Sequence, residues 1–182
     1  MGGVVVDSPV SAPPDTQSFL VADGACQTQK FYESLVMGIP CLKQSWLLLS
    51  IEMEKIVEPF SEFLIPAGVS LLTGETVLQN ISNDDRKGKG LRKLLTGMNV
   101  VVYSAAPGKA RKTFEEAYTR LIEGMGAITE EEDIARANDY KGVHLIITDA
   151  YAPKERVERW KANNVGVVSC MWIVQVCPFL LS

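Results

Sequence analysis

The chain has 182 residues, 47% of them hydrophobic, and a formal net charge of −4 at pH 7. That is enough apolar material for one large or two small packed domains, and it excludes a chain that is disordered throughout. The acidic balance argues against direct DNA binding, and no apolar run reaches the roughly 18–20 residues needed to span a bilayer.

The first 18 residues hold Pro9, Pro13 and Pro14 among small and polar residues and read as a flexible leader. Val4-Val5-Val6 is too short to decide anything. No charged segment followed by a long apolar core marks a signal peptide. Phe19 to Ala22 is an apolar strand ending at the turn signal Asp23-Gly24. Gln27 to Met37 reads as a helix, with Phe31/Leu35 and Tyr32/Val36 at i,i+4, and Gly38 stops it. Ile39 to Lys43 is a short strand, after which Ser45 is placed to cap a helix starting at Trp46. That helix carries Leu47, Leu48, Leu49, Ile51 and Met53, apolar nearly all round, so burial on two sides is expected. Phe60 to Leu72 is an ordered apolar segment interrupted by Pro66 and Gly68. Residues 73–93 are polar and suit a linker. Their cluster Arg86, Lys87, Lys89, Arg92 and Lys93 reads as solvated, with phosphate contact the less favoured role.

A second series follows. Asn99 to Tyr103 is a strand and Lys109 to Gly124 an amphipathic helix, its stripe formed by Phe114, Ala117, Tyr118, Leu121, Ile122 and Met125. A short strand near Ala127 to Thr129 comes after Gly126. Val143 to Thr148 is a central strand, Pro153 opens a helix containing Val157 and Trp160, and Asn163-Asn164 ends it. Val165 to Ser169 is the last strand, and Pro178 is expected to stop the final helix. Strand–helix alternation implies α/β architecture, with parallel sheets flanked by helices.

The two series are copies. An offset of 126 residues puts Phe19-Leu20-Val21-Ala22-Asp23 over Leu145-Ile146-Ile147-Thr148-Asp149 without a gap. The same offset places Lys30 over Arg156 and Trp46 over Trp172. Such self-similarity marks a tandem of related units. The expected division is a leader at 1–18, a partial first unit at 19–72, a linker at 73–93 and a second unit at 94–182. The second unit has a full strand–helix–strand ahead of its central strand, and the first is expected to lack it.

Several residues invite a chemical reading. Cys26, Cys41, Cys170 and Cys177 have no CxxC spacing and no nearby His, so neither a metal nor a disulfide is indicated, and buried, reduced thiols are expected. His144, the only histidine, has no Ser or Cys partner in a recognisable motif and reads as a strand residue. Asp23 and Asp149 stand at strand ends, where an α/β enzyme could keep an acid, but turn capping is the simpler role. Cys41 and Cys170 lack the downstream Arg of a Cys-phosphatase loop, which disfavours an enzyme of that class. No cofactor is implied.

The repeated pattern resembles the BRCT domain. The resemblance rests on the strand with its preceding turn at Thr96-Gly97-Met98-Asn99-Val100-Val101-Val102, on Gly124-Met125-Gly126 after the first helix of the second unit, and on Trp46 and Trp172 at the signature tryptophan position. In the first unit, Gln29-Lys30-Phe31-Tyr32, Gly38-Ile39-Pro40-Cys41 and Leu64-Ile65-Pro66-Ala67-Gly68 resemble one subgroup: the tandem BRCT module of the DNA-damage checkpoint mediators, the animal tumour-suppressor-binding adaptor and its fungal relatives.

The resemblance implies a non-enzymatic nuclear adaptor for phosphorylated partners, either a histone tail carrying phosphoserine or a checkpoint phosphoprotein. In such modules the first unit holds the phosphate. Lys30 matches the family's phosphate-contacting lysine, Gln27 matches a position that is basic in some relatives, and the Ser/Thr position has no counterpart. Trp46, Trp172, Gly38 and Gly126 are structural signatures. Arg156 and Ser104 offer a lesser alternative pocket in the second unit. A phosphate-independent interaction or dimerisation module is the second reading. Loss of the opening strands would expose the edge of Phe19 to Ala22 and invite self-association.

Overall fold

The structure is a computed structural model that describes residues 3–12, 16–26, 28–58, 60–69, 73–79, 94–131, 134–135 and 140–179. Gln27 and the basic cluster Arg86, Lys87, Lys89, Arg92 and Lys93 lie outside these residues. The chain divides into two compact units, Met1–Leu91 with Gln175–Ser182, and Arg92–Val174.

In the second unit, β5 (Asn99–Tyr103) is followed by α3 (Gly108–Gly124), β6 (Ile128–Glu130), β7 (Leu145–Thr148), α4 (Lys154–Ala162), β8 (Gly166–Ser169) and the first half of α5 (Cys170–Phe179), whose residues from Gln175 on are counted with the first unit. The four strands form one parallel sheet in the order β6-β5-β7-β8. From β5 to β6 the chain steps one way across the sheet, and from β7 to β8 it steps the other way. Right-handed crossovers therefore put α3 and α4 on opposite faces. Burial agrees with two covered faces. Val101, Tyr103 and Ile146 pack in one cluster with Trp160 and Val165, while Val100, Val102 and Ile147, alternating with them, are buried too. Each such side chain contributes about 1.5–3 kcal/mol on burial. The helix α5 runs one residue past Pro178, which thus sits in the last turn instead of beyond the end.

The first unit contains β1 (Leu20–Ala22), α1 (Gln29–Met37), β2 (Cys41–Lys43), α2 (Gln44–Glu52), a 3-10 turn at Phe60–Phe63, and the two-residue strands β3 (Gly68–Val69) and β4 (Thr76–Val77). β1 and β2 pair in parallel, Leu20 opposite Cys41. Thr28 caps α1, its Oγ1 accepting the amide of Phe31 at 3.3 Å. Gly38 ends α1 with φ of 69°, a left-handed geometry that costs a residue with a Cβ about 1 kcal/mol or more. The residue one offset away, Asn164, has φ of 60° after α4 and is the residue type that tolerates that region best after glycine.

Three expectations change here. Ser45 is not a cap: α2 begins one residue earlier, its cap position is Lys43, and no side chain bonds the cap. The geometry of β2 carries straight into the helix and leaves no turn for Ser45 to close. α2 is also not buried on two sides. Only Trp46 and Ser50, one turn apart, are buried, and Leu47, Leu48, Ile51 and Met53 are between 40% and 59% exposed. α2 packs on β1, β2 and the 3-10 turn with the stripe of Trp46 and Ser50, and its other stripe is largely exposed. Finally, the start of the polar stretch is not linker-like. Thr76–Val77 pairs antiparallel with Gly68–Val69, and the amide of Ala67 donates to the carbonyl of Val77 at 2.8 Å. Polar composition did not reveal this strand because two residues carry no periodicity.

The leader holds a 3-10 turn at Pro9–Ser11 that packs against α1.

Candidate phosphate-binding site

Lys30 lies in the first turn of α1, exposed to solvent. The turn is shaped by Thr28, which accepts from Phe31 through both its carbonyl and its hydroxyl, and by Cys26, whose Sγ is 3.6 Å from Thr28 Oγ1. One residue away, Gln29 donates from its carboxamide to Glu33 Oε1 at 2.7 Å, so the buried Glu33 carboxylate is already engaged by its own helix. A helix N-terminus presents free amides and a partial positive charge, and a lysine ammonium beside it adds a full one. This combination suits a phosphate dianion. Asp23, one residue past β1, is exposed.

The equivalent place in the second unit is closed. Ser104, fully buried just past β5, donates its hydroxyl to Oδ2 of Asp149 and accepts the amide of Ala106 at 3.1 Å. The other oxygen of Asp149 accepts the amide of Tyr151 at 2.9 Å. The Ser104 hydroxyl is thus committed to a carboxylate, whose negative charge opposes an anion at this place. Arg156 is turned elsewhere: its guanidinium donates to the carbonyl of Ala135 at 3.3 Å and lies 5.4 Å from the centre of the Tyr103 ring. The alternative pocket of Ser104 with Arg156 is therefore not formed. Two partners from one core cluster, Ala135 and Tyr103, hold the arginine by hydrogen bond and cation–π contact.

The structural residues divide. Trp46 is 5% exposed, donates from Nε1 to the carbonyl of Val57 at 3.0 Å, and packs tilted against Phe19, ring centres 4.7 Å apart. Trp172 is only half-buried. The fully buried tryptophan of the second unit is Trp160, edge-on to Tyr103 at 5.1 Å, with Nε1 donating to Ala135 at 3.2 Å. Gly126 has φ of 87° and closes the turn after α3 by donating to Glu123 at 2.9 Å. His144 accepts the Asn99 amide at Nδ1 at 2.9 Å, while its own amide donates to the Asn99 carbonyl, so it ties β7 to β5.

Sequence reasoning missed Gln79. Its side chain is buried, accepts from the amide of Cys41 at 2.9 Å, and donates to the carbonyls of Cys41 at 2.8 Å and Ile65 at 2.6 Å. It closes the outer edge of β2, and nothing in its polar surroundings marked it. Of the cysteines, Cys41 is buried as expected, whereas Cys26 and Cys170 are half-buried, and all three are free thiols. Burial, with a lesser contribution from Cys26, pushes the Cys41 thiol from 9.0 up to about 12. Among the described residues there is no cluster of His, Cys, Asp and Glu fit to hold a metal ion, and no helix long and apolar enough to cross a membrane.

Residues 93–177 match the model of the BRCA1 C Terminus (BRCT) domain. The chain is similar in structure to the BRCT5-BRCT6 domains of S. pombe Brc1, with a TM-score of 0.56. Sequence identity there is 14%, over 88% of this chain and 76% of that one, so the likeness is one of fold.

Proposed function

From a chain that folds as a tandem BRCT module, with a BRCT domain at residues 93–177, we propose a non-enzymatic adaptor that binds phosphorylated proteins in the nuclear DNA-damage response. Its partner is a phosphoserine-bearing protein tail, from a damage-marked histone or a checkpoint protein, and Lys30 makes the charged contact. The observation that carries this reading is the exposed Lys30 ammonium at the open N-terminus of α1, set against the closed Ser104–Asp149 pair of the second unit. A lysine–phosphate contact of this kind contributes about 1.5–3 kcal/mol.

The test is a titration of the chain with a phosphoserine histone-tail peptide and its unphosphorylated twin, followed by amide NMR. Shifts around Lys30 with the phosphopeptide alone are expected, and Lys30→Ala should weaken binding roughly tenfold to a hundredfold. Equal response to both peptides, or an unchanged affinity in Lys30→Ala, would sink the reading.

A second reading, a phosphate-independent interaction module, draws on the exposed Leu47, Leu48 and Ile51 of α2 and Met53 just after it. Binding that ignores phosphate and Lys30 but is lost in Leu48→Asp would favour it.

A further inference from the structure

The internal repeat extends into the leader. The offset of 126 residues places Ser8 and Pro9 over Ile134 and Ala135. Both places hold a short helical turn, and each turn packs on the helix of its own unit. Pro9–Ser11 lies against α1, and Ile134 with Ala135 lies against Trp160 of α4. In the second unit two donors from α4 satisfy this contact. Arg156 and Trp160, one turn apart on one face, both donate to the carbonyl of Ala135, at 3.3 and 3.2 Å.

The first unit has the same face with its donors unused. Lys30 stands at the place of Arg156 and Ser34 at that of Trp160. Lys30 is exposed, while Ser34 is only 1% exposed and its hydroxyl has no hydrogen-bond partner. The carbonyl of Pro9, equivalent to the shared acceptor at Ala135, takes the amide of Ala12 at 3.3 Å instead. A cation and an orphaned hydroxyl thus lie four residues apart on the face that the repeat assigns to the leader turn, and a buried donor needs an acceptor.

The leader carries a residue that can become that acceptor. Of the nine prolines in the chain, only Pro9 follows a serine or threonine, so Ser8-Pro9 is the single acceptor pattern for a proline-directed kinase. Ser8 adjoins the exposed run Gly3–Asp7. The turn after it is closed by the amides of Ser11 and Ala12, which donate to Ser8 and Pro9. A 3-10 turn this short opens locally at little cost, which admits a kinase.

Resting on the reading of Lys30 as the phosphate contact, we propose that Ser8 is a phosphorylation site whose phosphate docks in cis on Lys30 and thereby competes with phosphorylated partners. In the transfer, Ser8 Oγ bonds to the γ-phosphorus of ATP and the bond from that phosphorus to the bridging oxygen breaks. ADP leaves, and the hydroxyl proton passes to the kinase's base. The product carries about −1.5 to −2 charges at pH 7 and three acceptor oxygens, which suit the Lys30 ammonium and the Ser34 hydroxyl. Glu33, three residues after Lys30, is engaged by Gln29. Because the leader belongs to the same chain, its phosphate acts at an effective concentration on the order of millimolar.

The test treats the full chain with a proline-directed kinase and ATP, followed by mass spectrometry and amide NMR. One phosphate is expected, at Ser8, and none in Ser8→Ala. Phosphorylation should shift the amides of the first turn of α1 around Lys30, and Lys30→Ala should remove that shift. It should also weaken binding of the phosphoserine histone-tail peptide at least tenfold. Failure of the kinase to modify Ser8, or a phosphorylated chain with unshifted α1 amides, would overturn the proposal. If the unmodified chain ignores the phosphopeptide, the partner site fails, and a Lys30-dependent shift on Ser8 phosphorylation still upholds the leader contact. If the phosphopeptide binds through Lys30 and binds equally well after Ser8 is phosphorylated, the partner site stands and the leader's role falls.

Discussion

Ser104 donates a hydrogen bond from its hydroxyl to Asp149, and this bond joins the ends of the two central strands of the second unit across 45 residues of sequence. The pair closes a position that the fold could otherwise use for an anion. Stability and selectivity meet in that one contact: the hydroxyl is fully buried, so it needs a partner, and the partner it has is acidic.

Asp149→Ala should therefore destabilise the chain by about 1–3 kcal/mol, because it strands a buried hydroxyl and frees the amide of Tyr151. Ser104→Ala should cost less, about 1 kcal/mol, since Asp149 can reach water. Urea unfolding of both variants gives the ordering, and a reversed order would disprove the account.

Gln79→Ala should cost about 1–3 kcal/mol by the same reasoning, since it leaves the buried amide of Cys41 without its acceptor. Gln79→Glu retains the acceptor but loses both donations, to Cys41 and Ile65, and is expected to be no better. Hydrogen exchange at Cys41 reports directly on this edge.

The tryptophans should rank by burial and not by their place in the motif. Trp160→Ala is expected to cost about 3–5 kcal/mol, and Trp172→Ala distinctly less, because Trp160 is fully buried and bonded while Trp172 is half-exposed. Thermal melts of the two variants decide between burial and motif as the guide.

Cys41 should resist alkylation at pH 8 in the folded chain while Cys26 reacts, since burial holds the Cys41 thiol protonated. The thiol titrates near 9.0 when exposed and near 12 when folded, so the folded state binds its proton more tightly. Its contribution to stability is complete below pH 9 and is lost as pH rises towards 12. Mass spectrometry after a short iodoacetamide pulse, with and without urea, measures the protection.

Much of the fold was legible before any coordinates, and particular residues explain why. The helix ending at Gly38, the strand Asn99–Tyr103 and the stripe through Leu121, Ile122 and Met125 follow from local rules: a glycine at a left-handed cap, a run of β-branched residues, a spacing of three and four. Lys30 was singled out by its place in a motif, and the structure puts it on the exposed first turn of α1. Ser45 misled because a capping residue type was present where the chain needed no cap.

The sequence by itself determined the order of the main helices and strands, the internal repeat and the parallel α/β architecture, because periodicity, turn residues and caps act over a few neighbours, whereas the short antiparallel pair β3–β4 escaped it. The tertiary structure alone decided which partners met across the chain. Asp149 took Ser104, Gln79 reached back 38 residues to Cys41, Arg156 folded over Tyr103, and one stripe of α2 stayed in water. Those outcomes depend on which surfaces the folded chain brings within a few ångströms, and no short window of residues contains that information.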